Sequence, residues 1–329
     1  MDDVYELNQF TTNDYSIICG DCIQVMKELP AGSVDFIIYS PPFDDLYTYS
    51  SSIHDLGNNV DYETFLEHYT FVVPETGKLL KPGRLVAVHC MDIPRPTGLI
   101  DFPGDIIRLH QANGFVYWDR KNIWKEPLRV AIRSRDRKLM HQQIARDSTK
   151  TRGALADYVL FFKKKGENVI PVSHEYGLTE YIGDFDLFSE KDKEEYEFLL
   201  KKYENHGTDD QTNKLSQWIW RRYASSDWRD INAKRMLEYK EAKEEDDERH
   251  VCPLHLDIIE RSIILYSNPG EIVFTPFMGI GSEVAGALNL DRKGIGVELK
   301  RSYFLQAKKN IDRMLAQKIS KKGQRTLFQ

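Results

Sequence analysis

The sequence lacks any run of about 18 apolar residues, so we expect no membrane-spanning helix. Residues 1–5 are mostly polar and acidic and contain no apolar stretch of the kind that a secretory signal needs. These two absences predict a cytoplasmic protein. The composition is 41% hydrophobic and 29% charged, as in ordinary globular proteins, and 329 residues can bury a large core without disulfides.

Cysteine is scarce, with four residues at Cys19, Cys22, Cys90 and Cys252. Cys19 and Cys22 have the C-x-x-C spacing of some zinc and redox sites, but no second pair follows at metal-binding spacing. The histidines show no ligand spacing either. We therefore expect buried structural thiols in a reducing compartment and no metal site.

Positive charge is also in deficit, because the formal net charge is −6. Its distribution is uneven: residues 120–152 hold eleven basic side chains against three acidic ones. Such a segment in an acidic chain is either a solvated face or a phosphate-contacting surface, and the second interpretation is favoured. The predicted DNA-contacting residues are Lys125, Arg129, Arg133, Arg135, Arg137, Lys138, Arg146, Lys150 and Arg152.

Short apolar runs alternate with helical patterns along most of the chain, and no internal repeat is visible. Strands are predicted at residues 15–19, 34–39, 84–90, 115–124, 157–162, 271–275 and 294–297. Helices are predicted at residues 22–29, 62–80 with a kink near Pro74, 255–266, 282–289 and 302–315. This alternation predicts an α/β protein with a doubly wound, mostly parallel sheet.

The chain divides into four predicted segments. Residues 1–165 form one half of the α/β domain, with a basic insertion at about 120–155. Residues 166–237 form an inserted module whose aromatic residues, Trp218, Trp220, Tyr223 and Trp228, suit either a local core or a nucleic-acid contact. Residues 238–315 form the other half after a charged linker at 238–248, and residues 316–329 form a flexible tail.

A glycine-rich turn follows the strand at residues 271–275, with the sequence Thr275-Pro276-Phe277-Met278-Gly279-Ile280-Gly281-Ser282. A G-x-G between a strand and a helix lets the backbone approach a ligand closely, although an ordinary βα turn has the same form. Glu298, about twenty residues on, ends the next strand and can accept both hydroxyls of a ribose. The missing third glycine favours an adenosine-type ligand over a dinucleotide.

A second turn, Ser40-Pro41-Pro42-Phe43, follows the strand at residues 34–39. Carboxyl ends of strands are where open α/β sheets bind ligands. Two prolines remove two N–H donors, so the hydroxyl of Ser40 and the carbonyl of Pro41 are available as acceptors. The alternative is a rigid surface turn.

These motifs together resemble the amino-methyltransferases of DNA in the β arrangement, in which the catalytic motif precedes the cofactor motif. The resemblance covers residues 15–165 and 250–310, and residues 276–283 and 218–231 are similar to phage and prophage enzymes. It implies a methyltransferase (Rossmann-like) sheet, circularly permuted, with an inserted target-recognition region. The implied cofactor is S-adenosyl-L-methionine and the implied substrate is double-stranded DNA.

The resemblance also implies roles for individual residues. Ser40, Pro41 and Pro42 would be catalytic, and Phe43 would stack on a base that has been extruded from the duplex. The cofactor would be bound by Asp21 at its adenine, by His255 near its methionine end, and by Cys22, Thr275, Pro276, Phe277, Gly279, Gly281, Ser282 and Glu298. An aryl amine is a poor nucleophile, and two acceptors that hold its hydrogens would favour a nitrogen with an available lone pair.

Two positions depart from the family pattern. Thr275 stands where the family often has Asp, so it can hydrogen-bond the cofactor but cannot form an ion pair with its ammonium group. Ser40 stands where most adenine enzymes have Asp, and Ser-Pro-Pro-Phe is associated with cytosine N4. We therefore expect methylation of cytosine N4, with adenine N6 as the alternative.

Other activities are less well supported. Methylation at carbon 5 of cytosine needs a thiolate, usually after proline, and the chain has no Pro-Cys pair. A protein glutamine methylase would carry Asn-Pro-Pro-Tyr. Two other functions stay open: a non-catalytic DNA-binding accessory protein, and an amine methyltransferase that acts on RNA or protein. The recognition sequence, a restriction partner and a homodimeric state also stay open.

The C-terminal residues resemble the short peptide with which many bacterial proteins bind the replication sliding clamp. Gln324, Leu327 and Phe328 form the pattern Gln-x-x-Leu-Phe on the basic tail. A glutamine and two apolar anchors suit binding in a groove, and a frayed terminus is the alternative.

Overall fold

The computed structural model describes residues 8–42, 61–134, 137–203, 213–239, 241 and 253–327, except the side chains of 133, 134, 137 and 321–327. The strands are β1 (Asn8–Thr11), β2 (Tyr15–Cys19), β3 (Val34–Tyr39), β4 (Leu80–Met91), β5 (Ile93–Arg95), β6 (Gly98–Ile100), β7 (Phe115–Ile123), β8 (Asp157–Lys164), β9 (Asp227–Trp228), β10 (Ile272–Thr275) and β11 (Lys293–Glu298). The helices are α1 (Cys22–Glu28), α2 (Tyr62–Tyr69), α3 (Val72–Leu79), α4 (Phe102–Ala112), α5 (Pro127–Ser134), α6 (His141–Arg146), α7 (Glu190–Tyr203), α8 (Lys214–Tyr223), α9 (Leu256–Tyr266), α10 (Ser282–Asn289) and α11 (Arg301–Leu327).

Nine of these strands form one sheet in the order β1-β2-β11-β10-β3-β4-β8-β7-β9. The pairs from β2 through β11, β10 and β3 to β4 are all parallel, whereas β8 is antiparallel to both β4 and β7. The mostly parallel α/β sheet is as predicted. Its order brings β3 and β10, which are distant in the sequence, side by side.

Helices cover both faces of the sheet because its central strands are apolar on both sides. In β3 all six residues are buried; Ile37 and Tyr39 pack with α1 to α4, and Phe36 and Ile38 pack with α9 on the opposite face. A third cluster joins α10 and α11 to β2. Burial on both faces fixes the positions at which these strands end.

The region after β8 contains its own small core, which was one of the two structures that the aromatic pattern allowed. Trp218 and Tyr223 are buried in this core, Trp228 is buried in the core of the sheet, and Trp220 is 52% exposed. The fully buried Arg261 of α9 ties this core to the sheet, since it donates to the carbonyl of Ile182 at 2.7 Å and to Asp230 at 2.8 Å.

Two helix predictions differ from the structure. The predicted kinked helix at 62–80 is two helices, α2 and α3, which are separated at Thr70 and Phe71. Pro74 lies in the first turn of α3, where its missing N–H donor breaks no helical hydrogen bond. The last helix was expected to end at residue 315, but α11 continues to Leu327, and Lys318 anchors this extension by donating to Asp291 at 2.8 Å.

The basic insertion is also shorter than expected. Residues up to Ile123 belong to β7, and Lys121 is buried there beside Asp119 at 2.9 Å. The insertion therefore consists of the segment between β7 and β8, with α5, α6 and two short 3-10 turns. The charged linker at 238–248 lies largely outside the described residues.

Candidate active site

The carboxyl edge of the sheet gathers the predicted catalytic and cofactor-binding motifs. Parallel strands β2, β11, β10, β3 and β4 all end at this edge. Because β8 is antiparallel to β4, it begins there, at Asp157 opposite Met91. Because β7 is antiparallel to β8, its end at Ile123 also lies opposite Asp157. One edge therefore combines residues from six strands and from the start of a seventh.

Ser40, the first residue after β3, contacts His89 of the neighbouring strand β4. Its Oγ lies 3.2 Å from Nδ1 of His89 and 3.3 Å from the carbonyl oxygen of the same residue. Pro41 is buried behind this contact and Pro42 is partly exposed. Phe43, the predicted stacking residue, lies outside the described residues. The hydroxyl of Ser40 is therefore held against a titratable ring at the edge of the sheet.

The ring of His89 connects Ser40 to a buried ion pair. Its Nε2 lies 3.2 Å from Oδ2 of Asp157, although the ring is not aligned there for a well-formed hydrogen bond. Oδ1 of Asp157 accepts from Nζ of Lys125 at 2.5 Å. Burial alone would raise the pKa of Asp157, but Lys125 and His89 outweigh it and lower that pKa to about 2. Asp157 is therefore ionised at neutral pH.

Neither His89 nor Asp157 was among the predicted site residues, and Lys125 was predicted to contact phosphate. The signal for His89 was its place near the end of a predicted parallel strand. Asp157 was not identifiable in this way, because a strand begins at this edge only when it runs antiparallel to its neighbours. Lys125 is paired with Asp157 instead of projecting freely from the insertion, and its side chain is 32% exposed.

His255 lies just before α9 and close to the same group. Burial first, and then the charge of His89, lower its pKa to about 4. Asp157 raises this pKa and Lys125 lowers it, both by smaller amounts. Its buried Nδ1 has no hydrogen-bond partner among the described residues. His255 was predicted to bind the cofactor, and that role stays a prediction.

The glycine-rich turn after β10 is held by the carboxylate of Glu298. Oε2 of Glu298 accepts from the N–H of Gly279, and its Oε1 accepts from the N–H of Lys300, each at 2.8 Å. Gly281 has a φ of 93°, a left-handed conformation that favours glycine, and an added Cβ there would lie 3.0 Å from Cβ of Ala307. The turn is thus fixed at both ends, with Glu298 facing it.

Buried polar atoms without partners surround this turn. Oγ1 of Thr275 and Oγ of Ser282 are buried and have no hydrogen-bond partner among the described residues. Such groups cost free energy unless a ligand or water satisfies them. Ser282 also begins α10, whose N-terminal N–H groups favour an anion. These features fit the carboxylate and amine of a methionine moiety, so the residues present suit S-adenosyl-L-methionine.

The remaining predicted cofactor residues lie on neighbouring strand ends. Asp21 follows β2 and caps α1, since its Oδ1 accepts from the N–H of Gln24 at 2.9 Å. Cys22 begins α1 and packs against the core of the α1–α4 face; burial raises the pKa of its thiol well above the usual range. Pro276 and Phe277 continue from β10, and Phe277 contacts the ring of Tyr39. Their roles toward a cofactor stay predictions.

Glu283 is a further buried acid in this neighbourhood and was not among the predicted site residues. It lies in the first turn of α10 and is 4% exposed. Burial, and then the charge of Glu298, raise its pKa to about 8. It is therefore largely protonated at neutral pH.

The predicted DNA-contacting residues of the insertion fall into three groups. Arg129, Arg146 and Lys150 are exposed on α5, α6 and the following turn. Lys138 and Arg152 instead donate to backbone carbonyls at the β5–β6 hairpin, at 2.7 and 3.2 Å, and so attach the insertion to it. The side chains of Arg133, Arg135 and Arg137 lie outside the described part of the structure.

The predicted clamp-binding residues are only partly described. The backbone is helical through Leu327, which includes Gln324, and Phe328 lies outside the described residues.

In the parts of the chain that the structure describes, no helix is long and apolar enough to cross a membrane. In the same residues, no group of three His, Cys, Asp or Glu side chains is arranged for a metal ion.

Comparison with known proteins places this site in a family. The family model of the DNA methylases that modify N6 or N4 positions matches residues 34–309. A 55-residue stretch is 38% identical to the type II methyltransferase M.HpaI of Haemophilus parainfluenzae, and it spans 18% of that relative's length.

Two solved structures share the fold. A proposed DNA modification methylase of Thermus thermophilus is 20% identical, with 91% of this chain and 94% of that chain covered and a TM-score of 0.58. The same Thermus protein has been solved in complex with S-adenosyl-L-methionine. The cytosine-N4-specific PvuII DNA methyltransferase is 14% identical, with 94% of both chains covered and a TM-score of 0.53.

Proposed function

Since the chain belongs to the N4/N6 amino-methyltransferase family of DNA methylases, we propose that it transfers a methyl group from S-adenosyl-L-methionine to N4 of cytosine in duplex DNA. The observation that carries this proposal is the position of Ser40 and the Gly279–Gly281 turn at the ends of adjacent strands. An acceptor for an amine and a candidate cofactor turn thus share one edge of the sheet.

The cofactor turn and its surroundings would hold the adenosine and methionine parts. Glu298, which also fixes the turn, accepts from the ribose hydroxyls. Ser282 and the N-terminus of α10 receive the methionine carboxylate, and Oγ1 of Thr275 accepts from the ammonium group. When bound, S-adenosyl-L-methionine supplies an electrophilic methyl group on a sulfonium.

Ser40 would act on the target base. Its Oγ and the carbonyl of Pro41 accept the two hydrogens of the exocyclic amine and so favour a pyramidal nitrogen with an available lone pair. These bonds strengthen as positive charge develops on nitrogen, which makes them selective for the transition state. The neutral serine at this position, together with the following Pro-Pro-Phe, supports cytosine over adenine.

The base must leave the duplex to reach this edge, because its amine is otherwise paired. Phe43 would stack on the extruded base. The exposed cations of the insertion would contact phosphates of the DNA backbone; they are Arg129, Arg146 and Lys150. Lys125, between β7 and the insertion, is held at the active-site edge of the sheet by Asp157. The site and the basic surface would then face the same segment of DNA.

The test is to incubate the protein with duplex DNA and labelled S-adenosyl-L-methionine, digest the DNA, and identify the methylated nucleoside by mass spectrometry. We expect N4-methylcytosine. N6-methyladenine would retain the family but overturn the cytosine assignment. Binding to DNA without methyl transfer to any base would favour a non-catalytic accessory protein.

A further inference from the structure

The Ser40 hydroxyl lies at one end of a chain of polar contacts that leads away from the proposed target base. The next group is the imidazole of His89, 3.2 Å away through Nδ1. Beyond it lie Oδ2 of Asp157, 3.2 Å from Nε2, and then Nζ of Lys125, 2.5 Å from Oδ1 of the same carboxylate. The four residues come from four different elements, so the chain exists only in the folded sheet.

We propose that His89, which lies beside the ion pair of Asp157 and Lys125, is a positioning residue that accepts, through Ser40, the proton that the target amine loses. The proposal rests on the proposed function, because it describes how the same site completes amine methylation. It concerns the fate of the proton, whereas the proposed function concerns how Ser40 and the carbonyl of Pro41 hold the amine.

The balance of the reaction requires such an acceptor. The amine nitrogen forms a bond to the methyl carbon as the carbon–sulfur bond breaks, the bonding pair stays on sulfur, and the nitrogen becomes cationic. The nitrogen then gives one proton to Oγ of Ser40 while the Ser40 proton passes to Nδ1 of His89. His89 leaves the step as an imidazolium and later releases its extra proton to water.

The tautomer of His89 follows from its surroundings. Asp157 is ionised at neutral pH, so it favours a proton on the nearer ring nitrogen, Nε2. Nδ1 of the neutral ring is then an acceptor and faces Oγ of Ser40. The Ser40 hydroxyl can rotate between Nδ1 and the carbonyl oxygen of His89, at 3.2 and 3.3 Å.

Polar and titratable groups from several elements lie around the ring of His89. Ser40 faces it from the end of β3, Asp157 from the start of β8, Lys125 from the segment after β7, and His255 from the start of α9. The pKa of His255 is lowered to about 4, so this residue is neutral at physiological pH. Asp157 and Lys125 form an ion pair beside the ring, with Oδ2 of Asp157 3.2 Å from Nε2 of His89.

A structural role for His89 would produce different results. In that case the contacts would only hold β4 against β8, and a neutral residue of similar length would serve equally well at every pH. A proton acceptor makes the rate fall in acid, because protonated His89 cannot take another proton. The shape of the pH profile therefore distinguishes the two roles.

The experiment measures single-turnover methyl transfer to duplex DNA between about pH 5.5 and 8.5, with cofactor and DNA saturating. For the wild type we expect a rate that falls on the acid side. H89Q keeps a hydrogen-bonding side chain beside Ser40 but cannot accept the proton, so we expect a rate about 10²-fold lower, without the acid limb and with unchanged DNA affinity. His68→Gln, the same change at an exposed histidine of α2, should retain the wild-type profile.

A second variant avoids the risk that H89Q is misfolded. Lys125→Met removes a partly exposed cation that opposes a proton on His89, so the acid limb should move to higher pH. An unmoved limb in Lys125→Met, or an acid limb retained by H89Q, would overturn the relay while leaving the methyltransferase assignment intact. A wild-type protein that methylates no DNA at any pH would overturn the proposed function, and the relay with it.

Discussion

The rings of Tyr39 and Phe277 meet edge to face, with 5.6 Å between their centroids. Tyr39 is the last residue of β3 and directly precedes Ser40, and Phe277 lies in the turn that leads to Gly279. Tyr39 is also fixed by its hydroxyl, which lies 2.7 Å from that of Tyr69 on α2. This contact joins two motifs that are distant in the sequence and sets the distance between the proposed target and cofactor positions.

Replacing Glu298 with Gln should weaken cofactor binding. The carboxylate accepts from the N–H of Gly279 in the turn and from that of Lys300 after β11. A glutamine amide has one oxygen acceptor and one NH₂ donor, so it can replace only one of these two bonds. We expect S-adenosyl-L-methionine to bind about 10- to 100-fold more weakly by titration calorimetry. Glu190→Gln, an exposed change on α7, is the control, and equal affinity in both variants would remove Glu298 from the cofactor site.

Glu283 should make the protein less stable as the pH rises. Its pKa is raised to about 8 in the folded protein from 4.5, so between about pH 5 and 8 the folded state keeps a proton that the unfolded chain has lost. The free energy of unfolding therefore decreases across this window, by on the order of 2 kcal/mol from this group. Glu283→Gln lacks that loss, and urea denaturation at pH 5.5 and 8 measures the difference. Parallel behaviour of the two proteins would contradict the assigned pKa.

The exposed cations of the insertion should determine how DNA binding depends on salt. Each phosphate contact contributes about 0.9 to the slope of log affinity against log salt concentration, so replacing Arg129, Arg146 and Lys150 with Gln should reduce the slope by about 2 to 3. Fluorescence anisotropy with duplex DNA measures the slope. Replacing the exposed lysines of α7, Lys191, Lys201 and Lys202, should leave it unchanged. An equal slope in both triple variants would show that DNA contacts another surface.

The C-terminal residues should bind the sliding clamp if their resemblance to clamp-binding peptides reflects function. Deleting residues 324–329 removes the glutamine and both apolar anchors, and we expect clamp affinity to fall below detection in surface plasmon resonance. Methyl transfer to short duplexes should be unchanged, because α11 remains packed through residues such as Phe304 and Ile311. The same clamp affinity before and after the deletion would exclude this role.

The sequence was sufficient where local patterns determine structure, and insufficient where strand order does. The apolar run of β3, the turn before α10 and the acid at Glu298 are recognisable locally. The contact of His89 with Asp157 depends on β8 pairing antiparallel to β4, which no local pattern records. The part of α11 beyond residue 315 includes Lys318, whose contact with Asp291 is likewise tertiary and is not recorded in the local sequence.

The central claim is that Ser40 acts on the amine while the turn at Gly279 holds the cofactor, within one site. The most direct test is the single-turnover rate of Ser40→Ala, measured after cofactor and DNA have both bound. We predict a rate about 10² to 10³-fold below wild type, with dissociation constants for both ligands that change far less, because the bond to the lost acceptor is strongest in the transition state. A wild-type rate in Ser40→Ala would contradict the account.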